Sequence, residues 1–570
     1  THFGLPERIV WDPNCQAKTP KGNPVMLPMI PVAFPVPSYA SRAFLDETQV
    51  WLEACAKVLA PLRWPEGPIV LTQVDNEGAL YFRDGPYDQD YHSDAVALFR
   101  SFLKHKYRTL KHLREAWNDR QTSFASADPP TKMDATTPDE LVKHLDWAEF
   151  HEHLLANGIG AMAHMLTAAG FDGLPTMHNF PMGEAASPLN AARIAGEIDL
   201  IGLDYYHSAS PRDHMVNMRR TSELAVRNAG LSLPPYAAEI GAGFPPFFAP
   251  LDEDDSLYTI MTALAYGLRG FNLYMAVERD RWVGAPIDPR GVRRPFGNRI
   301  KALFDALEKT EFHTLTRRAP VRLVIPRALR RLARITHAFG PLTPAAFHIM
   351  GGSFRESCLE DDFSDGADPA TMAGEAYVRA FERALLRRGV PFAYAAGETF
   401  GESIEGASWI VCATAGGLKR ELVSDLKAAA KRGIKVTIGP RAPDRDGNFR
   451  KLGAPYDLKG LELEPLDDLA RADALVGKRI EELELPTFSC DPPDVYVAVH
   501  DDAEGKPKVV FVMNPTPEPK DAHLAIAGVN DLVDALVPAV PSKAHGTITR
   551  ETGGFRIPVR ARSVRFLMTK

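Results

Sequence analysis

Residues 67–78 have the sequence Gly-Pro-Ile-Val-Leu-Thr-Gln-Val-Asp-Asn-Glu-Gly, and this stretch decides the predicted fold. An apolar run rich in β-branched residues ends abruptly in polar residues, and the carboxylate of Glu77 comes last before a glycine. A buried strand that delivers a carboxylate at its carboxyl end is typical of active sites in α/β barrels. The alternative is a strand whose glutamate faces solvent in a loop.

Four further segments have the same character. Each is a short apolar run that follows a helical segment and ends in polar or aromatic residues: 174–180, 198–206, 235–241 and 270–275. Strands that alternate with helices in this way predict a parallel sheet wound into a (β/α) barrel. We therefore predict an α/β protein with a TIM-type barrel over residues 1–315.

The pattern changes after residue 315. Strand-like segments at 321–325, 391–395, 409–413 and 435–438 alternate with helical segments, which predicts a small doubly wound α/β domain over residues 316–465. Short strands without helices follow over residues 466–570 and predict a small antiparallel β-sandwich. Residues 413–417 lack the lysine of a P-loop and a GxGxxG pattern, which disfavours a phosphate-binding loop there.

The composition is that of a globular protein. The chain has 570 residues, of which 45% are hydrophobic, and a formal net charge of −7, which argues against nucleic acid or an anionic membrane as the main partner. No apolar run reaches transmembrane length, so we expect a soluble protein of cytoplasmic or periplasmic type. The five cysteines lie far apart, without metal or disulfide spacing, and are expected to be reduced: Cys15, Cys55, Cys358, Cys412 and Cys490.

The pair Asn76-Glu77, with Gln73 upstream, resembles the Asn-Glu motif of clan-A glycoside hydrolases. The resemblance is strongest to the β-galactosidase families 35 and 42, in which this motif closes barrel strand four. In those families the Glu is the general acid/base and the Asn binds the sugar 2-hydroxyl, which implies these roles for Glu77 and Asn76. Glu239, at the end of strand seven, matches the position of the nucleophile.

These two glutamates fit the chemistry of glycoside hydrolysis with retention. The reaction needs two carboxyl groups about 5–5.5 Å apart, one as nucleophile and one as acid/base. Residues distant in sequence can meet because the strand ends of a barrel converge on one face. We predict a raised pKa for Glu77 and an ionised Glu239, since two equal carboxyls need different environments to take different roles.

The resemblance also implies residues around the sugar. A strand-six tyrosine hydrogen-bonds the nucleophile in these families, and here it is Tyr205 or Tyr206, with Tyr205 preferred. Asn179 closes strand five, where family 42 also has an Asn near the sugar. Its neighbour His178 is a candidate sugar contact and is explained equally well as a buried histidine.

Four residues near the last strands complete the predicted substrate site. Tyr274 and Trp282 are candidates for an apolar floor that stacks on the C–H face of a pyranose, although core packing is an alternative for Tyr274. Glu278 and Asp204 are candidate acceptors for sugar hydroxyls.

The chain departs from the family pattern at two places. Family 35 usually has Glu-Asn-Glu-Tyr-Gly, whereas residues 75–79 are Asp-Asn-Glu-Gly-Ala, and residues 276–280 replace a Gly-rich loop after strand eight. The motifs therefore specify the clan more strongly than they specify galactose. The register also leaves strands one to three unassigned, so we expect a longer gene product; the alternative is a shifted register with degenerate strands in residues 1–60.

The predicted function is a retaining, exo-acting, β-galactosidase-like hydrolase that cleaves terminal β-D-galactosides of oligo- or polysaccharides without a metal or organic cofactor. The alternatives are another specificity in the same clan (β-glucosaminidase, α-arabinosidase or β-mannosidase) and a non-catalytic carbohydrate-binding protein on a decayed barrel. The second domain resembles the flavodoxin-like domain that carries the trimer contacts of family 42, which implies a homo-oligomer, a trimer or a dimer.

Overall fold

The structure is a computed structural model. It describes residues 2, 4–29, 32–78, 80, 85–181, 188–244, 251–279, 282–336, 369–414, 416–465, 469–536 and 544–570. Cys358, Ala79 and Asp280, which the sequence analysis singled out or quoted, lie outside these residues.

A five-stranded parallel sheet carries the predicted catalytic residues. Its strands are hydrogen-bonded in chain order: Thr72–Gln73, Thr176–Phe180, Leu200–Tyr205, Tyr236–Gly241 and Gly270–Tyr274. The register shifts between Leu203 and Asp204 and again between Ala237 and Ile240, so irregularities lie beside Asp204 and Glu239. Bulges of this kind redirect side chains and are common next to active sites. The predicted barrel architecture is confirmed.

Helices connect these strands and cover the sheet. The principal ones are Arg42–Leu59, Ser93–Tyr107, Leu110–Trp117, Leu141–Leu166, Pro211–Gly230, Glu253–Ala265 and Pro295–Lys309, with short helices at Glu7–Val10 and Ala191–Ile194. Their starts follow the usual capping chemistry: Ser210 accepts a hydrogen bond from the Asp213 N–H, and Asp252 and Asp255 form a capping box. The Pro-rich stretch near the amino end forms an antiparallel hairpin of Met26–Met29 and Val32–Pro35.

The segment Leu141–Phe171 is the one described helix that is long and apolar enough to cross a membrane by length and composition. In its most apolar window, 56% of the residues are buried inside the protein. Phe150, Leu154 and Ile159 on this helix belong to the main hydrophobic core. Its apolar character is that of a core helix.

The second sheet is also parallel and belongs to the predicted flavodoxin-like domain. Its spatial order is Phe392–Ala396, Val321–Ile325, Trp409–Thr414, Lys435–Pro440 and Glu462–Leu463. Numbered along the chain, this is the order 2-1-3-4-5 of doubly wound flavodoxin-like sheets. Its helices are Arg327–Thr336, Pro369–Arg387, Arg420–Lys431 and Leu469–Leu483.

Two antiparallel sheets form the β-sandwich. One contains Ser489–Asp491, Lys520–Ala525, Gly554–Val559 and Thr549–Glu551; the other contains Leu532–Asp534, Ser563–Thr569, Pro507–Asn514, Tyr496–Asp501 and Thr316–Arg317. Thr316–Arg317 therefore pairs with the sandwich, directly after the barrel. Ion pairs join the parts: Arg219 binds Glu382 at 2.8 Å, and Arg562 binds Asp255 at 2.5 Å.

Candidate active site

Three carboxyl groups meet at the carboxyl ends of the barrel strands. Glu77, Asp204 and Glu239 each bring a carboxylate oxygen to within 4.8 Å of the others. Glu239 lies inside the strand Tyr236–Gly241, Asp204 near the end of Leu200–Tyr205, and Glu77 four residues after Gln73. Because parallel strands end on one face of a barrel, residues 162 positions apart in sequence share this cleft.

Glu77 lies in a turn that its neighbours hold in an unusual backbone conformation. Its φ is +51°, in the left-handed region that non-glycine residues seldom adopt. Its N–H donates to Asn179 Oδ1 at 2.9 Å. Asn76 Oδ1 accepts from Gln73 Nε2 at 3.0 Å and from Asn179 Nδ2 at 3.2 Å. Asn179 therefore positions both residues of the Asn-Glu motif, and it is itself fully buried.

The turn is also packed too tightly for a side chain at Gly78. A Cβ there would lie 2.7 Å from Asp75 Oδ2, 2.7 Å from the Tyr39 hydroxyl and 3.2 Å from His178 Cε1. The Tyr39 hydroxyl donates to Asp75 Oδ2 at 2.7 Å. A side chain at residue 78 would therefore displace the hydrogen-bonded side chains of Asp75 and Tyr39, which gives the departure from the family 35 motif a structural reason.

His178 lies beneath this turn and not in the open cleft. Its side chain is fully buried, and burial lowers its pKa although Asp75 acts in the opposite direction. A neutral, buried histidine supports the turn from below. The alternative interpretation of His178 as a buried histidine fits its full burial, which leaves no exposed surface for a sugar contact.

Tyr206, and not Tyr205, contacts the predicted nucleophile. The Tyr206 hydroxyl donates to Glu239 Oε2. The Tyr205 hydroxyl instead bonds Thr221 Oγ1 at 2.7 Å on the helix outside the sheet. Side chains alternate between the faces of a strand, so Asp204 and Tyr206 point to the inside while Tyr205 points outward. The preference for Tyr205 is wrong for this reason.

Asp204 is the member of the cluster whose role the sequence did not indicate. We expected it to accept sugar hydroxyls, but it is fully buried, and its Oδ2 accepts from Asn179 Nδ2 at 2.8 Å. Arg220 donates to the Asp204 carbonyl at 2.7 Å, which fixes the end of the strand. Asp204 and Tyr206 are two residues apart, so they share one face of an extended chain. This spacing is the signal that could have placed Asp204 beside the glutamates.

Burial raises the pKa values of the three acids, and repulsion between neighbouring carboxylates adds to the rise for Glu77 and Asp204. The pKa of Glu77 rises to about 7, first because of burial and then because of the Glu239 carboxylate, while a hydrogen bond with Asp204 opposes the rise. Burial and the two glutamates raise the pKa of Asp204 well above its usual range. Burial also raises the pKa of Glu239, and the Tyr206 hydroxyl opposes this. The ionised state of Glu239 stays a prediction.

The same spacing would suit a cation, but the electrostatics favour protons. A metal ion requires deprotonated ligands, whereas burial raises the pKa of all three acids. A raised pKa is also what the general acid of a hydrolase requires.

An aromatic wall continues from Tyr206. Tyr206 and Tyr274 meet edge to face at 6.3 Å between ring centroids, and Tyr274 and Trp282 do so at 4.9 Å. Trp282 is 9% exposed, and its indole N–H donates to the Ala242 carbonyl at 3.0 Å. Tyr274 is half-buried and is the better candidate for contact with a pyranose; the stacking role stays a prediction.

Glu278 does not join the carboxylate cluster. Its Oε2 pairs with Arg294 at 2.7 Å and accepts from the Gly284 N–H at 3.0 Å. The side chain thus holds together the loop that follows the last barrel strand. A contact of Glu278 with sugar hydroxyls stays a prediction.

Comparison with known proteins points to the same families as the Asn-Glu motif. Residues 38–236 match the model of glycoside hydrolase family 42, described as beta-galactosidase. This segment contains the Asn76-Glu77 motif and ends three residues before Glu239. A curated beta-1,2-glucosyltransferase of Ignavibacterium album is 24% identical over 254 residues, or 42% of this chain, and the match spans 34% of that relative.

Solved structures share the fold over nearly the whole chain. A beta-galactosidase from the haloarchaeon Halorubrum lacusprofundi is 16% identical, with a TM-score of 0.66 over 99% of this chain and 88% of that chain. A beta-galactosidase from Bacillus circulans sp. alkalophilus is 15% identical, with a TM-score of 0.68 over 98% and 86%. An exo-carrageenase from Bacteroides ovatus is 12% identical, with a TM-score of 0.68 over 100% and 74%.

The fold is that of the barrel-type beta-galactosidases, and the carboxylate pair lies in the segment that matches family 42 and three residues beyond it. More particularly, the resemblance to the β-galactosidases of family 42 that the motifs indicate is confirmed.

Proposed function

We propose that this protein is a retaining exo-glycoside hydrolase of the β-galactosidase type, acting on terminal β-D-galactosides of oligo- or polysaccharides. The observation that carries the proposal is the distance between the glutamates. Carboxylate oxygens of Glu77 and Glu239 lie within 4.8 Å. Retaining enzymes hold their carboxyl groups about 5–5.5 Å apart, whereas inverting enzymes leave about 6.5–9.5 Å for a water molecule.

In the first step, Glu239 attacks the anomeric carbon while Glu77 gives its proton to the glycosidic oxygen. The bond from the anomeric carbon to that oxygen breaks, the aglycone leaves as an alcohol, and the sugar is held as an ester of Glu239. In the second step, ionised Glu77 takes a proton from water, and the water oxygen displaces Glu239. The sugar leaves with its original configuration and Glu77 is protonated again.

The electrostatics of the cluster support this exchange of roles. The Glu239 carboxylate is a principal cause of the raised pKa of Glu77, after burial. Once Glu239 is an ester it carries no charge, so the pKa of Glu77 falls and Glu77 becomes a base for the second step. The Tyr206 hydroxyl favours the ionised form of Glu239 before attack.

Asn76 is oriented for the sugar 2-hydroxyl. Its Oδ1 is occupied by donors from Gln73 and Asn179. The amide NH₂ of Asn76 is therefore the group left to face the cleft, and Asn76 is exposed. A hydrogen bond to the 2-hydroxyl that strengthens in the transition state would lower the barrier. No metal or organic cofactor enters this scheme.

A panel of p-nitrophenyl glycosides tests the proposal: β-galactoside, β-glucosaminide, α-arabinoside and β-mannoside. We expect the highest kcat/KM with the β-galactoside, and the β-anomer as the first product by NMR. A first product of inverted configuration would contradict the two-carboxylate mechanism. A preference for another sugar would keep the mechanism and change the specificity. Binding of galactosides without hydrolysis would favour the carbohydrate-binding alternative.

Transfer to a sugar acceptor is a second candidate, because the curated relative is a beta-1,2-glucosyltransferase. Transfer uses the same ester of Glu239 and differs only in the group that displaces it. Added oligosaccharide would then accelerate nitrophenol release without an equal increase in free sugar, and mass spectrometry would show an extended acceptor. Equal yields of nitrophenol and free sugar at all acceptor concentrations would exclude transfer.

The assembly and the location stay predictions. The family resemblance favours a trimer or a dimer, and sedimentation that shows a monomer at micromolar concentration would contradict both. We expect a cytoplasmic or periplasmic protein.

A further inference from the structure

A second cavity lies far from the barrel strand ends, at the edge of the flavodoxin-like sheet. It has a volume of about 1200 Å³. Pro326 and Arg327 line it directly after the strand Val321–Ile325, and Gly397 does so directly after Phe392–Ala396. Flavodoxin-like sheets bind ligands outside the carboxyl ends of their strands, at the point where the strand order reverses. Here the strand order reverses at Val321–Ile325, the first strand of this sheet. The second strand, Phe392–Ala396, lies on one side of it, and the third strand, Trp409–Thr414, lies on the other.

The lining of the cavity carries a small excess of cationic side chains, and several of them form ion pairs: Lys106 with Glu149, Arg193 with Glu149, and Arg331 with Glu152. Its lining includes eight lysine or arginine residues and six aspartate or glutamate residues. The whole chain has a formal net charge of −7. Cationic side chains come from the barrel and from the loops after three different strands of the second sheet: Lys106, Arg193, Arg327, Arg331, Lys419, Arg420, Arg450 and Lys451. An excess of cationic groups in a lining favours anions over cations in the cavity.

The inner wall is a network of buried charges between the two domains. Arg327 and Arg331 donate to the Glu152 carboxylate at 2.8 Å, and Arg331 makes a second bond at 2.6 Å. Glu152 belongs to the core helix Leu141–Leu166 of the barrel. Glu398, on the same wall, lies 3.7 Å from Arg331, and burial raises its pKa despite that contact.

The rim of the cavity presents two further cationic side chains beside this network of buried charges. Lys419 and Arg420 are exposed at the start of the helix Arg420–Lys431. The Arg420 guanidinium lies over the Tyr456 ring, 5.4 Å from its centroid. An arginine stacked on an aromatic ring keeps its N–H groups in a fixed plane, which suits two-point recognition of phosphate.

We propose that this cavity binds a phosphorylated small molecule. Its volume suits a ligand of the size of a sugar phosphate or a nucleotide. Recognition would come from lysine and arginine side chains of several loops. This differs from the P-loop cradle that the sequence lacks at residues 413–417, because the lysine and arginine side chains lie far apart in the sequence. The site is separate from the proposed hydrolytic cleft, so its test does not require an active hydrolase.

Inorganic pyrophosphate is a suitable probe, used in titration calorimetry with the whole protein. The test variant is Lys419→Ser/Arg420→Ser, which removes two rim cations. The matched control is Lys431→Ser/Arg432→Ser, which removes two exposed cations at the other end of the same helix. Both doubles change the net charge equally, and both replace exposed residues. Thermal unfolding of each variant confirms that it is folded.

We expect pyrophosphate to bind the wild-type protein with one site per chain. The affinity should fall about tenfold or more in the rim variant, the effect of one or two lost charge-assisted contacts, and should not change in the control. Equal weakening in both variants would show only a general charge effect and would overturn the proposal. Absence of pyrophosphate binding, or tighter binding of citrate than of pyrophosphate, would also overturn the assignment to phosphate.

Discussion

The two glutamates of the cleft are held in opposite ways. Glu239 lies within the strand Tyr236–Gly241, so the hydrogen bonds of the sheet hold its backbone on both sides of a register shift. Glu77 lies beyond a strand of only two residues, in a left-handed conformation that Asn179 holds by its side chain. The nucleophile thus depends on backbone pairing, whereas the acid depends on a small network of side chains. Substitutions around Glu77 should therefore disturb catalysis more than substitutions around Glu239.

The largest effect is expected from Glu239→Gln. An amide cannot form the ester, so hydrolysis of the β-galactoside should fall by about 10⁴-fold or more. The protein should stay folded, because the Tyr206 hydroxyl can still donate to the amide oxygen. With Glu239→Ala, added azide should restore turnover and yield the α-galactosyl azide. Activity within tenfold of wild type would remove Glu239 from its role.

Glu77→Gln should have an effect that depends on the leaving group. Loss of a general acid costs about 10²–10⁴-fold, but a dinitrophenyl galactoside needs no proton on its leaving oxygen and should be cleaved in the first step almost normally. In the wild type, the acid must be protonated, and its pKa is about 7. Hence kcat/KM should decrease as the pH rises through about 7, and Glu77→Gln should lack this limb. Equal losses for both leaving groups would contradict the assignment.

Asn179→Ala tests the side-chain network itself. The change removes the acceptor for the Glu77 N–H and the donor to Asn76. Misplacement of a catalytic group by about 1 Å can cost about 10²-fold in rate, so we expect a fall of this order in kcat. The azide-rescued rate should be compared between Glu239→Ala and the double variant Glu239→Ala/Asn179→Ala. If only the acid is displaced, this rate should not fall by the same factor as kcat. No change in kcat would mean that the turn is stable without Asn179.

The matched pair Tyr206→Phe and Tyr205→Phe gives the smallest and sharpest comparison. Loss of the Tyr206 hydroxyl raises the pKa of Glu239, since that bond favours the ionised form. The acidic limb of the kcat/KM profile should therefore move to higher pH, with a loss of about tenfold at its optimum. Tyr205→Phe removes only a bond to Thr221 outside the cleft and should leave the profile unchanged. The reverse pattern would restore the original preference for Tyr205.

The sequence predicted those features that depend on local pattern. Runs of β-branched residues ending in polar groups gave the strands, and their ends gave Glu77, Glu239 and Asn179. The choice between the two tyrosines failed because it depends on the face of a strand with an irregular register at Asp204. The roles of Glu278 and His178 depend on partners that the fold brings together. The charged cavity between the domains draws its lining from residues 106 to 456, which no local motif indicates.

The central claim is that Glu239 forms the covalent bond to the sugar. A 2-deoxy-2-fluoro-β-galactoside with a dinitrophenyl leaving group slows the second step more than the first, so the ester accumulates and its peptide can be identified by mass spectrometry. The account predicts one added fluorogalactosyl group per chain, attached to Glu239. A label on Glu77 or Asp204, or continued turnover of galactosides by a protein that takes up no label, would contradict it.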